Sequence, residues 1–219
     1  MPQGTENELW SIKVRKEVDD LITKIKNLPF IKKMMDGTLS LENFGKYIGQ
    51  DIFYCKEYSI SLKILSQRLK SLSGEKVLIF EKFSSSCLGV VETLQKDYLE
   101  KFHLKEEKEK SNICQKYIDF ERENAEKGSI AQGLAGCLAC YWVYDEIGRY
   151  MYENQISGEN IYKEWMDDYS SGPSKSLAKY LKICNEIAES NKEFEDQMTI
   201  TYKKAVEFEY EFWKDCCQN

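Results

Sequence analysis

Leu41-Glu-Asn-Phe-Gly-Lys-Tyr-Ile-Gly-Gln-Asp51-Ile-Phe-Tyr-Cys-Lys-Glu-Tyr-Ser-Ile-Ser61-Leu-Lys-Ile-Leu-Ser-Gln-Arg-Leu-Lys-Ser71 is the segment that decides the fold class. Its apolar positions are Phe44, Ile48, Cys55, Tyr58, Leu62, Leu65 and Leu69, with Asp51 standing in the same series. The steps between them alternate between four and three residues, which is the spacing of one buried helical face; a strand would repeat every second residue. Ser40 precedes the run as an N-cap, and Glu42 lies in the first turn, where a negative charge meets the helix dipole. The spacing predicts one helix over residues 41–71.

The same period extends in both directions. Val14, Val18, Leu21, Ile22 and Ile25 mark a first helix over residues 7–27, which Pro29 ends, and Asp36-Gly37 reads as a turn. Helices are predicted over 75–103, 111–127, 129–153, 159–169, 174–190 and 192–216, with a charged link at Lys105–Lys110 and sharp stops at Ser157-Gly158 and Gly172-Pro173. Ala131, Gly133, Ala135, Gly136 and Ala139 make one helix narrow enough for close approach by its neighbours. No alternating segment persists beyond a few residues. The expected fold is all-α, a single-domain helical bundle over residues 1–219.

Composition excludes several classes. The chain has 31 Lys+Arg against 37 Asp+Glu, a formal net charge of −6, where a nucleic-acid binder needs a basic face. Only 3 prolines occur, where average usage gives about 11, so the punctuation of an all-β protein is missing. A single histidine, His103, rules out a site built on two or more histidines, and its position near a helix end reads as surface or capping. The longest uncharged run, Gly128–Tyr144, is 17 residues and shorter than the ~20 apolar residues of a membrane span. The start, Met1-Pro-Gln-Gly-Thr-Glu-Asn-Glu, has neither a basic nor an apolar leader region. Five of the eight cysteines (Cys55, Cys87, Cys137, Cys140 and Cys184) fall inside apolar helical patterns, where a reduced thiol behaves as a small hydrophobe. Together these features predict a cytoplasmic protein with reduced cysteines, no membrane association and no nucleic-acid partner.

Three positions break the apolar pattern in chemically useful ways. Asp51 puts a carboxylate on a buried face, which costs stability unless it is paired, and Tyr54 follows one turn later on the same side. Cys140 lies in Cys137-Leu-Ala-Cys140-Tyr-Trp-Val-Tyr144. The Cys-x-x-Cys spacing is open to a zinc or redox reading, but no second pair and no useful histidine accompany it. Two core cysteines one turn apart is the plain structural alternative, and a phenol again lies one turn on, at Tyr144. Glu209 sits in Phe208-Glu209-Tyr210-Glu211-Phe212-Trp213, beside an aromatic face that would favour the protonated carboxyl. A thiol, two carboxylates and several phenols suit nucleophilic chemistry with acid–base help.

These residues fall in an order that resembles the TenA/thiaminase II family, also called aminopyrimidine aminohydrolases. The opening block is Pro29-Phe30, Gly37-Thr-Leu, Phe44, Tyr47, Gln50-Asp51 and Tyr54; then come Tyr117, Cys140-x-Trp142-x-Tyr144, Trp165-x-x-x-Tyr169-Ser-Ser and Glu209-x-x-Phe212-Trp213. Leu28 and Ala139 stand where the family often has histidine and proline. The resemblance implies a heme-oxygenase-like fold, no metal or cofactor, and a homotetramer. It implies that Cys140 is a nucleophile adding to a pyrimidine ring and that Asp51 holds a ring nitrogen and its amino group. Tyr54 would help activate the thiol, Tyr117, Tyr144 and Tyr169 would contact the substrate, Phe212 would stack on it, and Glu209 would donate a proton. The implied reaction releases ammonia from 4-amino-5-aminomethyl-2-methylpyrimidine, giving hydroxymethylpyrimidine for thiamine salvage, with thiamine cleavage as a second activity. Exchange of an amine for a hydroxyl at the aromatic ring is expected to need ring addition. The competing expectation is a non-catalytic helical protein that binds a pyrimidine or regulates a partner. Haem and di-iron enzymes of similar helical class need histidine and carboxylate ligands, which one histidine does not supply.

Overall fold

Every regular element in the computed structural model, which describes residues 8–168, 170 and 174–217, is helical, and no strand occurs among those residues. The elements are α1 (Trp10–Glu17), α2 (Asp19–Lys26), α3 (Pro29–Met35), α4 (Leu41–Arg68), α5 (Gly74–Thr93), α6 (Asn112–Glu126), α7 (Ile130–Asn154), α8 (Lys163–Asp167), α9 (Lys175–Ser190) and α10 (Lys192–Asp215). The long helix α4 begins where the pattern predicts: the Ser40 hydroxyl accepts from the Asn43 amide at 3.2 Å. It ends in one 3₁₀ turn, Leu69–Ser71.

Four helices frame the interior. α4 packs against α5, α6 and α7, while α7 also packs against α6, α9 and α10. The close approach comes from the small residues of α7. A Cβ on Gly133 would stand 2.6 Å from a methyl of Leu65 on α4 and 3.2 Å from the Asn124 carbonyl on α6. α7 starts with a capping box, Ser129 accepting from the Gln132 amide while the Gln132 side chain accepts from the Ser129 amide. Arg68 locks the turn before it, donating to the Ala125 and Gly128 carbonyls at 2.6 and 2.7 Å. The charged link after α5 is held by Gln50, whose side chain donates to the Glu109 carbonyl and accepts from the Ser111 amide.

The structure corrects three of the expected helices. The helix expected over 7–27 is two helices, bent at Val18 (φ −105°, ψ 5°). The bend lets α1 pack on α9 and α10 while α2 follows α7 and α10. Pro29 does end that run, but it also opens α3 as its first residue, where its missing N–H costs nothing. The helix expected over 75–103 stops being α-helical at Thr93 and continues as wider π turns, Leu94–Glu100, which bury Leu94, Tyr98 and Leu99. His103 closes them in the left-handed region (φ 51°) and is exposed. The helix expected over 159–169 shrinks to Lys163–Asp167 because Asn160 serves as a clamp. Its amide nitrogen donates to the Met34 and Met35 carbonyls, and its oxygen accepts from the Tyr162 amide.

Candidate active site

Among the described residues, the expected site residues converge from four helices. α4 supplies Asp51 and Tyr54, α6 supplies Tyr117, α7 supplies Cys140 and Tyr144, and α10 supplies Glu209 and Phe212. Tyr169 lies outside the described residues. The frame is aromatic: the Tyr54 ring stacks on Tyr117 (centroids 4.9 Å) and on Tyr58 (5.5 Å), and Tyr117 stacks on Phe208 (5.3 Å). Phe212 tilts against Tyr54 at 5.9 Å, and Tyr144 packs on Trp213 at 4.9 Å.

Within this frame the polar groups form two parallel pairs. Tyr117 donates its hydroxyl proton to Glu209 Oε1 at 2.7 Å, and Tyr54 donates to Glu121 Oε1 at 2.7 Å. Both glutamates are 1% exposed. Burial pushes the Glu209 carboxyl up to about 8, with the Asp51 charge adding to it and the Tyr117 hydrogen bond opposing it. Burial pushes the Glu121 carboxyl up as well, opposed by the Tyr54 hydrogen bond. Asp51 is held by weak partners, with the Cys55 sulfur at 3.7 Å and the Tyr47 hydroxyl at 3.5 Å, so burial raises it to about 7.

Cys140 differs from its neighbour Cys137. Cys137 is fully buried, its backbone carbonyl accepting from the Tyr58 hydroxyl at 2.6 Å, whereas Cys140 keeps part of its surface accessible. All eight thiols are free. Burial pushes the Cys140 thiol up, and the facing carboxylates of Glu209 and Glu121 push it further, while Tyr54 favours the thiolate. The resting thiol is therefore protonated at neutral pH, and attack requires a proton acceptor at the moment of reaction.

Three buried polar atoms here lack a hydrogen-bond partner: Glu209 Oε2, the Tyr144 hydroxyl and the Trp213 indole nitrogen. Native interiors satisfy nearly all such atoms, and unsatisfied ones mark places where something else binds. The Tyr144 hydroxyl faces the Asp51 carboxylate, which it helps to hold ionised, without forming a hydrogen bond of ordinary geometry. A small flat molecule with donors along its edge would satisfy Glu209 and Tyr144 together. After burial, the side chains that set the proton affinities of Asp51, Glu121 and Glu209 are neutral or acidic, so a cationic ligand entering the site would favour their charged forms. No group of three or more His, Cys, Asp or Glu side chains among the described residues is arranged to hold a metal ion.

Glu121 was not among the residues singled out from the sequence. It lies on the buried face Cys114, Tyr117, Ile118, Glu121, Ala125. This is the same anomaly that marks Asp51, a carboxylate on an apolar stripe, masked here by the exposed acids Asp119 and Glu123 around it.

Comparison with known proteins follows the same outline. A sequence profile of the TENA/THI-4/PQQC family matches residues 15–219. The chain is 32% identical, over 73% of its length, to the thiamine biosynthesis multifunctional protein ThiED of Corynebacterium efficiens, and it covers 22% of that protein. It thus spans about a fifth of the length of the ThiED proteins that it matches. It is 25% identical to the aminopyrimidine aminohydrolase of Bacillus subtilis, over 84% of this chain and 80% of that one. A TenA homologue from Pyrococcus furiosus superposes with a TM-score of 0.82 at 18% identity, covering 95% of this chain and all of that one.

Proposed function

The chain belongs to the TENA/THI-4/PQQC family, and from that premise we propose that it is an aminopyrimidine aminohydrolase of thiamine salvage, with thiamine cleavage as a second activity. The observation that carries the reading is Cys140, a half-buried residue set beside an aromatic cluster of carboxyls in which Glu209 Oε2 and the Tyr144 hydroxyl await partners. The relatives' names give the substrate class: an aminopyrimidine that loses an amine to water.

Substrate and product differ at the methylene on the ring, not at the ring amino group. This corrects the expectation that an aromatic amine is replaced. Ring addition is still required, for a different reason: a leaving group on a methylene departs readily once the ring can push electrons toward it. The Cys140 thiolate adds to the unsubstituted ring carbon beside the one bearing the methylene. Asp51 holds the ring nitrogen protonated, which draws density from the attacked carbon. The dearomatised ring, with its amino group as electron source, then expels the amine as ammonia. Glu209 keeps that amine protonated, because ammonia leaves far more readily than amide ion. Water adds to the exocyclic methylene, and departure of the Cys140 thiolate restores aromaticity. Tyr117 holds the Glu209 carboxyl, Tyr54 favours the Cys140 thiolate, Phe212 covers one ring face, and Tyr144 contacts the edge. No metal or cofactor is needed. Thiamine carries its leaving group on the same methylene, already cationic, and suits the same acidic site.

We assign the protein to the cytoplasm, in keeping with its free thiols and with the absence, among the described residues, of a helix long and apolar enough to cross a membrane. It acts as a homotetramer; Leu78, Leu88 and Val90 on α5 are exposed apolar side chains that a second subunit would cover.

The test is ammonia release, measured side by side on the aminomethylpyrimidine, its formyl derivative and thiamine. Release from the aminomethylpyrimidine, and displacement of the thiazole from thiamine, is the expected result. Binding of all three without turnover would move the protein to the class of pyrimidine-binding regulators.

A further inference from the structure

Helix α4 brackets Asp51 with hydrogen-bond donors from its own length. Tyr47 lies one turn before it and Cys55 one turn after, and residues so spaced share a face of the helix. The Tyr47 hydroxyl donates to Asp51 Oδ2 at 3.5 Å, and the Cys55 thiol donates to Oδ1 at 3.7 Å. Asp51 is 5% exposed and Cys55 is 8% exposed. A leucine in place of Cys55 would continue the apolar stripe of Ile48, Tyr58 and Leu62 equally well, but it would give Oδ1 nothing. An ionised carboxylate has about four lone-pair positions, so each oxygen held in this way still has one to offer a ligand.

Asp51 and Glu209 also compete for a proton. Burial raises the first to about 7 and the second to about 8. The chemistry proposed above needs them in opposite states, with Asp51 ionised against the ring nitrogen and Glu209 protonated for the departing amine. The surroundings of Asp51 set that order. On α4 it meets Tyr47 and Cys55, from α7 Tyr144, from α10 Glu209 and Cys216, from α6 Cys114 and from α5 Cys87. No lysine or arginine is among these groups, and the Tyr144 hydroxyl makes no hydrogen bond. Burial favours the protonated carboxyl, and the Cys55 thiol opposes it more strongly than Tyr47 or Tyr144 does.

We propose that Cys55 is a positioning residue for Asp51: its thiol proton, donated to Oδ1, fixes the carboxylate and makes Asp51, rather than Glu209, the carboxyl that is ionised when substrate binds. A thiol is a weak donor, so it favours the charge without occupying Asp51 as a cation would. Cys55 therefore differs in role from Cys140: it forms no bond to the substrate and acts through Asp51. The inference rests on Asp51 as the carboxyl that holds the ring.

Cys55→Ala tests it on the whole protein. Aspartate isotope-labelled at the side-chain carboxyl carbon is titrated by NMR without substrate, and the Asp51 signal is identified by its loss in Asp51→Asn. We expect the Asp51 midpoint in Cys55→Ala to rise by at least about half a pH unit, about a threefold gain in proton affinity. The acid limb of kcat/KM for ammonia release should move up with it. A packing role alone would lower that profile at every pH and leave the limb in place. An Asp51 signal that titrates in Cys55→Ala as in wild type would overturn the proposal. Should Cys55→Ala fail to fold, Cys55→Val fills the space of the thiol without a donor, and an unmoved midpoint there is equally fatal. If wild-type protein releases no ammonia while the Asp51 midpoint still depends on Cys55, the substrate reading fails and the positioning role stands.

Discussion

Asp51 and Glu209 are carboxyls held against their ordinary preference for charge, and that has a measurable cost. In the unfolded chain they titrate near 4; in the fold, burial raises them to about 7 and about 8. Between those values the native state binds more protons than the unfolded state, so stability is greatest at the acid end and is lost as pH rises toward 8. Each group accounts for a loss on the order of a few kcal/mol. Asp51→Asn and Glu209→Gln should therefore flatten the decline of Tm between pH 5 and pH 8.5. Each should raise Tm at the alkaline end by about 5–10 °C while impairing turnover. Thermal unfolding followed by circular dichroism checks this, and Tm curves parallel to wild type would contradict it. The sequence marked Asp51 as a carboxylate on an apolar face and Glu209 as one at the edge of an aromatic face, and both are buried. Glu121 carries the same signal but sits among exposed acids, and only its contact with Tyr54 across helices reveals which acid turns inward.

The helices were legible where their apolar faces recur over several turns, as in α4, α7, α9 and α10, and the Ser40 cap marked the start of α4; the stop read at Gly172-Pro173 lies outside the described residues. The bend at Val18, the π turns after Thr93 and the shortening around Asn160 were not, because each answers a tertiary demand that local spacing does not encode. The small-residue face of α7 is the element on which the site depends most. Gly133 lets α7, the helix that carries Cys140, approach α4 and α6 closely. Gly133→Val forces its side chain against Leu65 and the Asn124 carbonyl, and should cost about 1–3 kcal/mol. Its kcat should fall further than its stability explains, since small displacements of reacting groups are expensive. A Val variant with wild-type Tm would show that α7 is not so constrained.

The assembled molecule is one in which four helices enclose a charge-poor, aromatic interior that faces a thiol, and Leu78, Leu88 and Val90 on α5 are left exposed. Sedimentation at micromolar concentration should give a mass near four times 25.7 kDa; a monomer at that concentration would contradict the tetramer. In the proposed mechanism no single residue identifies the activity, since the thiol, the carboxylates and the phenols would act only together, on α4, α6, α7 and α10. The most direct test of that account is the turnover of Cys140→Ser on the aminomethylpyrimidine, with binding of the pyrimidine measured on the same protein. The covalent route predicts that binding persists, because Asp51, Tyr144 and Glu209 remain, and that ammonia release is abolished. A serine variant retaining more than about a tenth of wild-type kcat, a barrier increase under roughly 1.4 kcal/mol, would mean instead that water attacks directly with a carboxylate as its base.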